Sequence, residues 1–190
     1  TSAVTPGGAV VKVKRKGRKR GAHARVTYTL PNAMAASCGP SGRVAYGIGA
    51  NASGQVGDGS TFQRAVFSEI CPADGSLRGA VAVAAGTSTG YAICADGSVW
   101  AWGQNAYGQL GNGTIGGTSP WPVKVAGLTG VVAVAAGERH ALALRNDGTV
   151  WSWGSNDDGQ LGNNHQTGAR GAPVHTSGVA NVTKIAAGHY

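Results

Sequence analysis

Acidic side chains are the scarcest feature at the start of this chain: none occurs before Asp58. Over all 190 residues charged side chains make up only 13%, about half of the ~25% usual for soluble domains. Long helices draw heavily on Glu, Lys and Leu, so a helical bundle is excluded. No apolar run approaches the ~18 residues that a membrane-spanning helix needs, and no signal-peptide core opens the chain. G-x-S-x-G elbows and G-x-x-x-x-G-K-[ST] phosphate loops are missing. Cysteine is confined to Cys38, Cys71 and Cys94, with no C-x-x-C spacing. That leaves two readings open, buried free thiols or one disulfide with a thiol left over.

Glycine is what the chain has in excess, 33 residues in 190, against a usual share of ~7%. With 42% apolar residues, much of it Ala and Val, this composition describes short strands joined by tight turns. The net charge of +8 is unevenly placed: residues 1–57 hold nine of the sixteen Lys and Arg, and the remainder is close to neutral.

Self-similarity is the main signal. Residues 81–113 read VAVAAGTSTGYAICADGSVWAWGQNAYGQLGNG, and residues 132–163 read VAVAAGERHALALRNDGTVWSWGSNDDGQLGN. Gly86, Gly137 and Gly188 are spaced by 51, as are Trp102 and Trp153, and Gly111 and Gly162. A divergent copy lies upstream, with Gly49, Asn51, Gly54, Gly57 and Gly59 offset by 54 from the next. These are tandem units. In each, Val99–Trp102 and Val150–Trp153 are β-rich strands, preceded by Asp96-Gly97 and Asp147-Gly148, which fit two-residue hairpin turns. Tyr91–Cys94 and Ala141–Leu144 are their expected partners. Alternation places Trp100 and Trp102 on one side of the sheet. Val81–Ala85 and Val132–Ala136 add a further strand. Ala35–Cys38 and Val44–Ile48 are the expected strands of the divergent copy. Small sheets lined by Ala, Val and Trp cannot bury both faces alone, whereas stacked neighbours can, which is the logic of a propeller.

The AAG turn, DG hairpin, WG pair and GQLG corner resemble the regulator-of-chromosome-condensation repeat. The resemblance is specific over residues 80–190 and looser over 34–79. It implies an all-β fold of four-stranded antiparallel β-propeller blades. About three blades are present, an incomplete ring that a longer chain or other subunits must complete. The expected organisation is a basic N-terminal segment over 1–33, repeats over 34–79, 80–130 and 131–181, and the start of a fourth blade over 182–190. Val182, Lys184, Ile185, Ala186, Ala187 and Gly188 are the candidate blade-sharing strand, able to complete a blade with N-terminal strands in a ring or a head-to-tail filament.

Lys12, Lys14, Arg15, Lys16, Arg18, Lys19 and Arg20 are candidate polyanion-binding residues. Two other readings stand beside that one: a localisation or membrane-surface patch, and a solvated hairpin in which Ala9–Val13 leads in and Arg25–Leu30 returns. Lysines on such an edge discourage unwanted pairing. No aromatic residues are interleaved for base stacking.

Catalytic constellations are not apparent. The histidines His23, His140, His165, His175 and His189 have no metal-ligand spacing. His140 opens a strand where the previous repeat has Thr89, so a repeated metal site is excluded; the resemblance implies a structural role. Asn51-Ala52-Ser53 and Asn181-Val182-Thr183 fit the glycosylation pattern. The expectation is a noncatalytic protein-interaction or structural module without cofactors, whose partner is another protein or copies of itself. Variable loops at Gly113–Pro122 and Asn163–Pro173 fit that role. The family includes a secreted bacterial inhibitor that grips an enzyme with its loops, which implies protein binding as the mechanism; the expected setting for a repetitive scaffold with variable loops is extracellular or the cell surface of a bacterium. The alternative is a nuclear guanine-nucleotide exchange, chromatin-binding or nucleic-acid-binding module.

Overall fold

The computed structural model describes residues 2–4, 10–13, 26–29, 45–70, 77, 79–166 and 168–189, the first three stretches by their backbone alone. The chain divides into two compact units, Thr1–Ala35 and Ala36–Tyr190. In the first, strands β1 (Ser2–Val4), β2 (Val10–Val13) and β3 (Val26–Thr29) form an antiparallel sheet in that order. Val10 stands opposite Thr29 and Val13 opposite Val26, the pairing expected of β-formers that flank a charged stretch of sequence.

Among the described residues the second unit holds three antiparallel sheets. β4 (Tyr46–Gly49) pairs with β5 (Arg64–Glu69). The next sheet runs β6 (Ala80–Ala85), β7 (Thr89–Cys94), β8 (Val99–Gln104), β9 (Thr118–Lys124). The last repeats it as β10 (Val131–Ala136), β11 (His140–Arg145), β12 (Val150–Gly154), β13 (Arg170–His175). The last two are four-stranded propeller blades in an open arrangement, and the first has two strands among the described residues. Ala35–Cys38 and Val44 lie outside the described residues. Val182, Lys184, Ile185, Ala186, Ala187 and Gly188 join no strand ladder among the described residues. A ladder requires a partner strand, and none is described beyond them.

The hairpins differ from expectation. Between β7 and β8 the Cys94 N–H donates to Ser98 O and the Gly97 N–H to Cys94 O, so three residues turn the chain rather than two. Arg145, Thr149 and Gly148 repeat this pattern. Only the glycine takes positive φ, 75° at Gly97 and 77° at Gly148. The physical reason is the aspartate. The Asp96 carboxylate accepts the Ser98 N–H at 2.9 Å and the Ser98 hydroxyl at 2.7 Å, and Asp147 does the same with Thr149. Such a side chain stabilises a turn followed by a left-handed glycine, a three-residue hairpin with a bulge.

The alternation of β7 and β8 serves two cores. Ala92, Cys94, Trp100 and Trp102 pack with Ile70 and Leu77 on one side. Tyr91, Ile93, Val99 and Ala101 pack on the other with Leu110, Val125, Ala141, Ala143 and Trp153. Each fully buried large side chain contributes roughly 2–3 kcal/mol, so neighbouring blades stabilise one another. Cys94 is buried there and is disulfide-bonded; its partner, Cys38 or Cys71, lies outside the described residues.

Candidate functional site

At one end of the strands each repeat forms the same loop. In all three an asparagine is fully buried: Asn51, Asn105 and Asn156. Their side-chain oxygens accept the N–H of Val56, Leu110 and Leu161 at 2.8, 3.0 and 3.1 Å. Their amide nitrogens donate across the loop to Ser60 O, Thr114 O and His165 O. A glutamine completes the frame: the Oε1 atoms of Gln55, Gln109 and Gln160 accept the N–H of Ser53, Tyr107 and Asp158. The buried asparagine amides thus spend their hydrogen-bonding capacity on fixing the loop, while the Nε2 of the buried Gln109 has no hydrogen-bond partner among the described residues. Asn51 is therefore unsuited to carry a glycan.

What the frame presents changes from copy to copy. The tip dipeptide is Ala52-Ser53, then Ala106-Tyr107, then Asp157-Asp158. Ala52, Ala106, Asp157 and Asp158 are exposed. The turns between first and second strands open on the same end. Arg139 lies over the Tyr107 ring with its guanidinium carbon 4.9 Å from the centroid. Glu138 stands 3.4 Å from Arg139 and 2.8 Å from His189. Tyr, Arg and a carboxylate from different repeats meet in one half-buried cluster, which joins adjacent blades. Sequence reasoning missed it, because its members are far apart along the chain. The departure of Tyr107 from its repeat counterparts was the available signal.

His140 is buried, and burial pulls its pKa below the ordinary value, so it is neutral near pH 7. A Cβ on Gly137 would come within 2.6 Å of its Nδ1, and Thr89 packs in the same way against Gly86. Both side chains fill the space under the glycine turn. Among the described residues no group of three His, Cys, Asp or Glu could hold a metal ion, and no helix is long and apolar enough to cross a membrane.

The candidate residues from the sequence separate. Lys12 stands on β2 opposite Thr27; Lys14, Arg15, Lys16, Arg18, Lys19 and Arg20 lie outside the described residues. The Val182 N–H donates to Gly148 O, and Gly188 O lies against Gly137 much as Gly137 O lies against Gly86.

Comparison with known proteins agrees with this architecture. A model of the regulator of chromosome condensation (RCC1) repeat matches residues 96–144 and 147–190, and a second model of that repeat matches 80–109 and 131–160. Human E3 ubiquitin-protein ligase HERC2 is 40% identical over 120 residues, 60% of this chain and 2% of that protein. The zebrafish (Danio rerio) protein RCC2 homolog is 42% identical over 83 residues, 43% of this chain and 17% of its own length. Among solved structures, human WBSCR16 is 26% identical with a TM-score of 0.61, over 73% of this chain and 36% of its own. Prp20p from Saccharomyces cerevisiae, solved in a study of its binding to Gsp1p and histones, is 21% identical with a TM-score of 0.63, over 76% and 37%. The chain therefore spans a small part of the curated relatives and about a third of the solved ones. With repeats recognised from residue 80 to 190 and the blade architecture in common, the chain belongs to the regulator of chromosome condensation repeat family.

Proposed function

We propose that this chain is a noncatalytic protein-interaction module that binds another protein through the loop tips. The observation that carries this reading is a constant loop backbone, held by the same buried amides three times, with a tip that differs in every copy. Such a frame supplies pre-organised contact groups at low entropic cost. Tyr107 and Arg139 are of the residue types that dominate interface energetics.

A photo-crosslinking side chain at Tyr107 or Asp158 tests it against one at Asp96, whose hairpin lies at the other end of the strands. The expected outcome is one protein captured from the tip positions and not from Asp96, and lost with Tyr107→Ala and Arg139→Ala. Capture from Asp96 alone would sink the reading.

The alternative function is nucleotide exchange or chromatin or nucleic-acid binding. Its support is the acid-free basic segment and the partners named for Prp20p. A small GTPase that released its nucleotide rapidly in the presence of this chain would favour it. For location, the Cys94 disulfide supports an extracellular or cell-surface setting, because disulfides persist in oxidising compartments. The histone binding named for Prp20p supports the nuclear alternative. Trapping free thiols in intact cells, before lysis, separates the two.

A further inference from the structure

A cleft of about 380 Å³ lies between the two four-stranded blades, at the end of the strands opposite the loop tips. Its lining includes Val81, Ile93 and Asp96 of one blade and Val131, Val132 and Asn146 of the next. Backbone bonds hold both walls in place. The Val131 N–H donates to Gly97 O across the blades at 3.1 Å, and the Asn146 N–H donates to Gly130 O at 2.9 Å. Gly97 sits so close to Gly130 that an added Cβ would come within 2.7 Å of its Cα. The cleft is therefore preformed, as small-ligand sites usually are.

Asp96 brings to this cleft a carboxylate oxygen that the fold does not use. Both bonds from Ser98 end on Oδ1, and Oδ2 takes no hydrogen bond or ion pair among the described residues. Lys124 of β9 acts on the carboxylate through space without reaching ion-pair distance. The next hairpin differs. Asp147 holds Thr149 through Oδ1 in the same way, but its Oδ2 carries the Arg145 guanidinium at 3.0 Å. One repeat earlier the position of Arg145 is taken by Cys94, so Asp96 has no guanidinium of its own. Asn146 supplies a second acceptor: its Oδ1 lies 3.0 Å from where a Cβ on Gly130 would stand, and its side chain makes no hydrogen bond among the described residues.

We infer that this cleft is a binding site for an alkylguanidinium group, as carried by arginine in a peptide or by a free guanidino compound. The guanidinium donates to Asp96 Oδ2 and Asn146 Oδ1, two acceptors that suit its planar fork. The alkyl stem lies on Val81, Ile93 and Val132, as long cationic side chains lie on apolar surface. Asp147 with Arg145 is the precedent within the chain, the same carboxylate of the repeat holding the same group. The site is at the far end of the strands from the loop tips and stands apart from partner binding there. Replacing Asp96 removes the group that binds, so a crosslinking side chain at that position captures nothing through this cleft.

Titration of the 190-residue chain, followed by NMR at the amides of Gly97, Gly130 and Val131, tests the inference. The probes are butylguanidinium, arginine blocked at both ends, and butylammonium. Saturable shifts are expected with the two guanidinium compounds, and binding about fivefold weaker with butylammonium, which cannot reach both acceptors. Blocked arginine binding as tightly as butylguanidinium assigns the site to a peptide, and weaker binding assigns it to a free compound. Asp96→Asn keeps an oxygen for Ser98 and should weaken butylguanidinium binding at least about tenfold, the worth of a charged hydrogen bond. Asn146→Ala should weaken it about fivefold, while Tyr107→Ala at the loop tips should leave it unchanged. No saturable shift, equal binding of guanidinium and ammonium, or indifference to both Asp96→Asn and Asn146→Ala would each overturn the inference.

Discussion

Trp153 of the third blade donates its indole N–H to the backbone carbonyl of Gln109 in the second, at 2.8 Å. Trp102 repeats this one blade earlier, donating to Gln55 O at 2.9 Å. The two bonds are not equal in consequence. Gln109 O also accepts the Tyr91 hydroxyl at 2.6 Å, and that phenol, whose pKa burial pushes up, stays protonated. Trp153→Phe therefore leaves the carbonyl with one donor, whereas Trp102→Phe removes the indole donor from a carbonyl that accepts no tyrosine hydroxyl among the described residues. Both should lower stability, Trp102→Phe by about 1 kcal/mol more, the cost of leaving a polar group unsatisfied. Urea unfolding of the two variants measures the difference.

Glycine substitutions should separate two costs that the fold otherwise combines. At Gly103, φ is 102° and an added Cβ would strike the Ser88 carbonyl. Gly113 has a similar φ of 91° but open space around it. Gly113→Ala should cost about 1–2 kcal/mol, the backbone strain alone. Gly103→Ala should cost clearly more, because the strand pair β7–β8 must also move. Equal unfolding midpoints for the two variants would refute the distinction.

The legible parts of this fold were those written locally. The strands around Trp100 and Trp151 and their partners β7 and β11 follow from β-rich runs beside a DG pair, and the repeat offset carries each assignment to the next copy. Hairpin length was not legible, since it depends on a carboxylate bonding two residues ahead. Val182–Gly188 has the sequence of an inner strand, yet a strand is a relation to a neighbour rather than a property of one segment. The site was least legible. Trp153 and Gln109 lie 44 residues apart and the acceptor is backbone, while Arg139 and Tyr107 meet only because two blades stack.

Acid should weaken the protein in two separate windows. Burial holds His140 below its ordinary 6.5, so near that pH the unfolded chain binds a proton that the folded chain refuses. Stability is then complete above 6.5 and falls as pH drops toward the lowered folded value. His140→Thr installs the residue found at Thr89, which does not titrate, and should flatten this part of the profile. A second fall belongs to aspartates. Hydrogen bonds from Thr149 depress Asp147. At Asp58 and Asp96 burial acts upward, and bonds from Ser60 with Arg64, and from Ser98, outweigh it. Their contribution is full above 3.8 and is lost as pH falls through the lowered values. Urea midpoints followed across the acid range for wild type and His140→Thr check both windows, and identical upper profiles would remove His140 from the account.

Cys94 gives the most direct test of how the first two blades are joined. It is almost fully buried in the core with Ile70, Leu77, Trp100 and Trp102, and it is disulfide-bonded. Three cysteines and one bond imply a single free thiol. Alkylation of the denatured, unreduced chain should add one label, and peptide mapping should place it on Cys38 or Cys71, never on Cys94. Cys94→Ser removes the crosslink and inserts a hydroxyl among apolar side chains, so it should destabilise by about 2–5 kcal/mol. Substituting the cysteine that maps as free should cost little by comparison. Three labels without reductant would show that blade packing, and not a covalent bond, holds this core together.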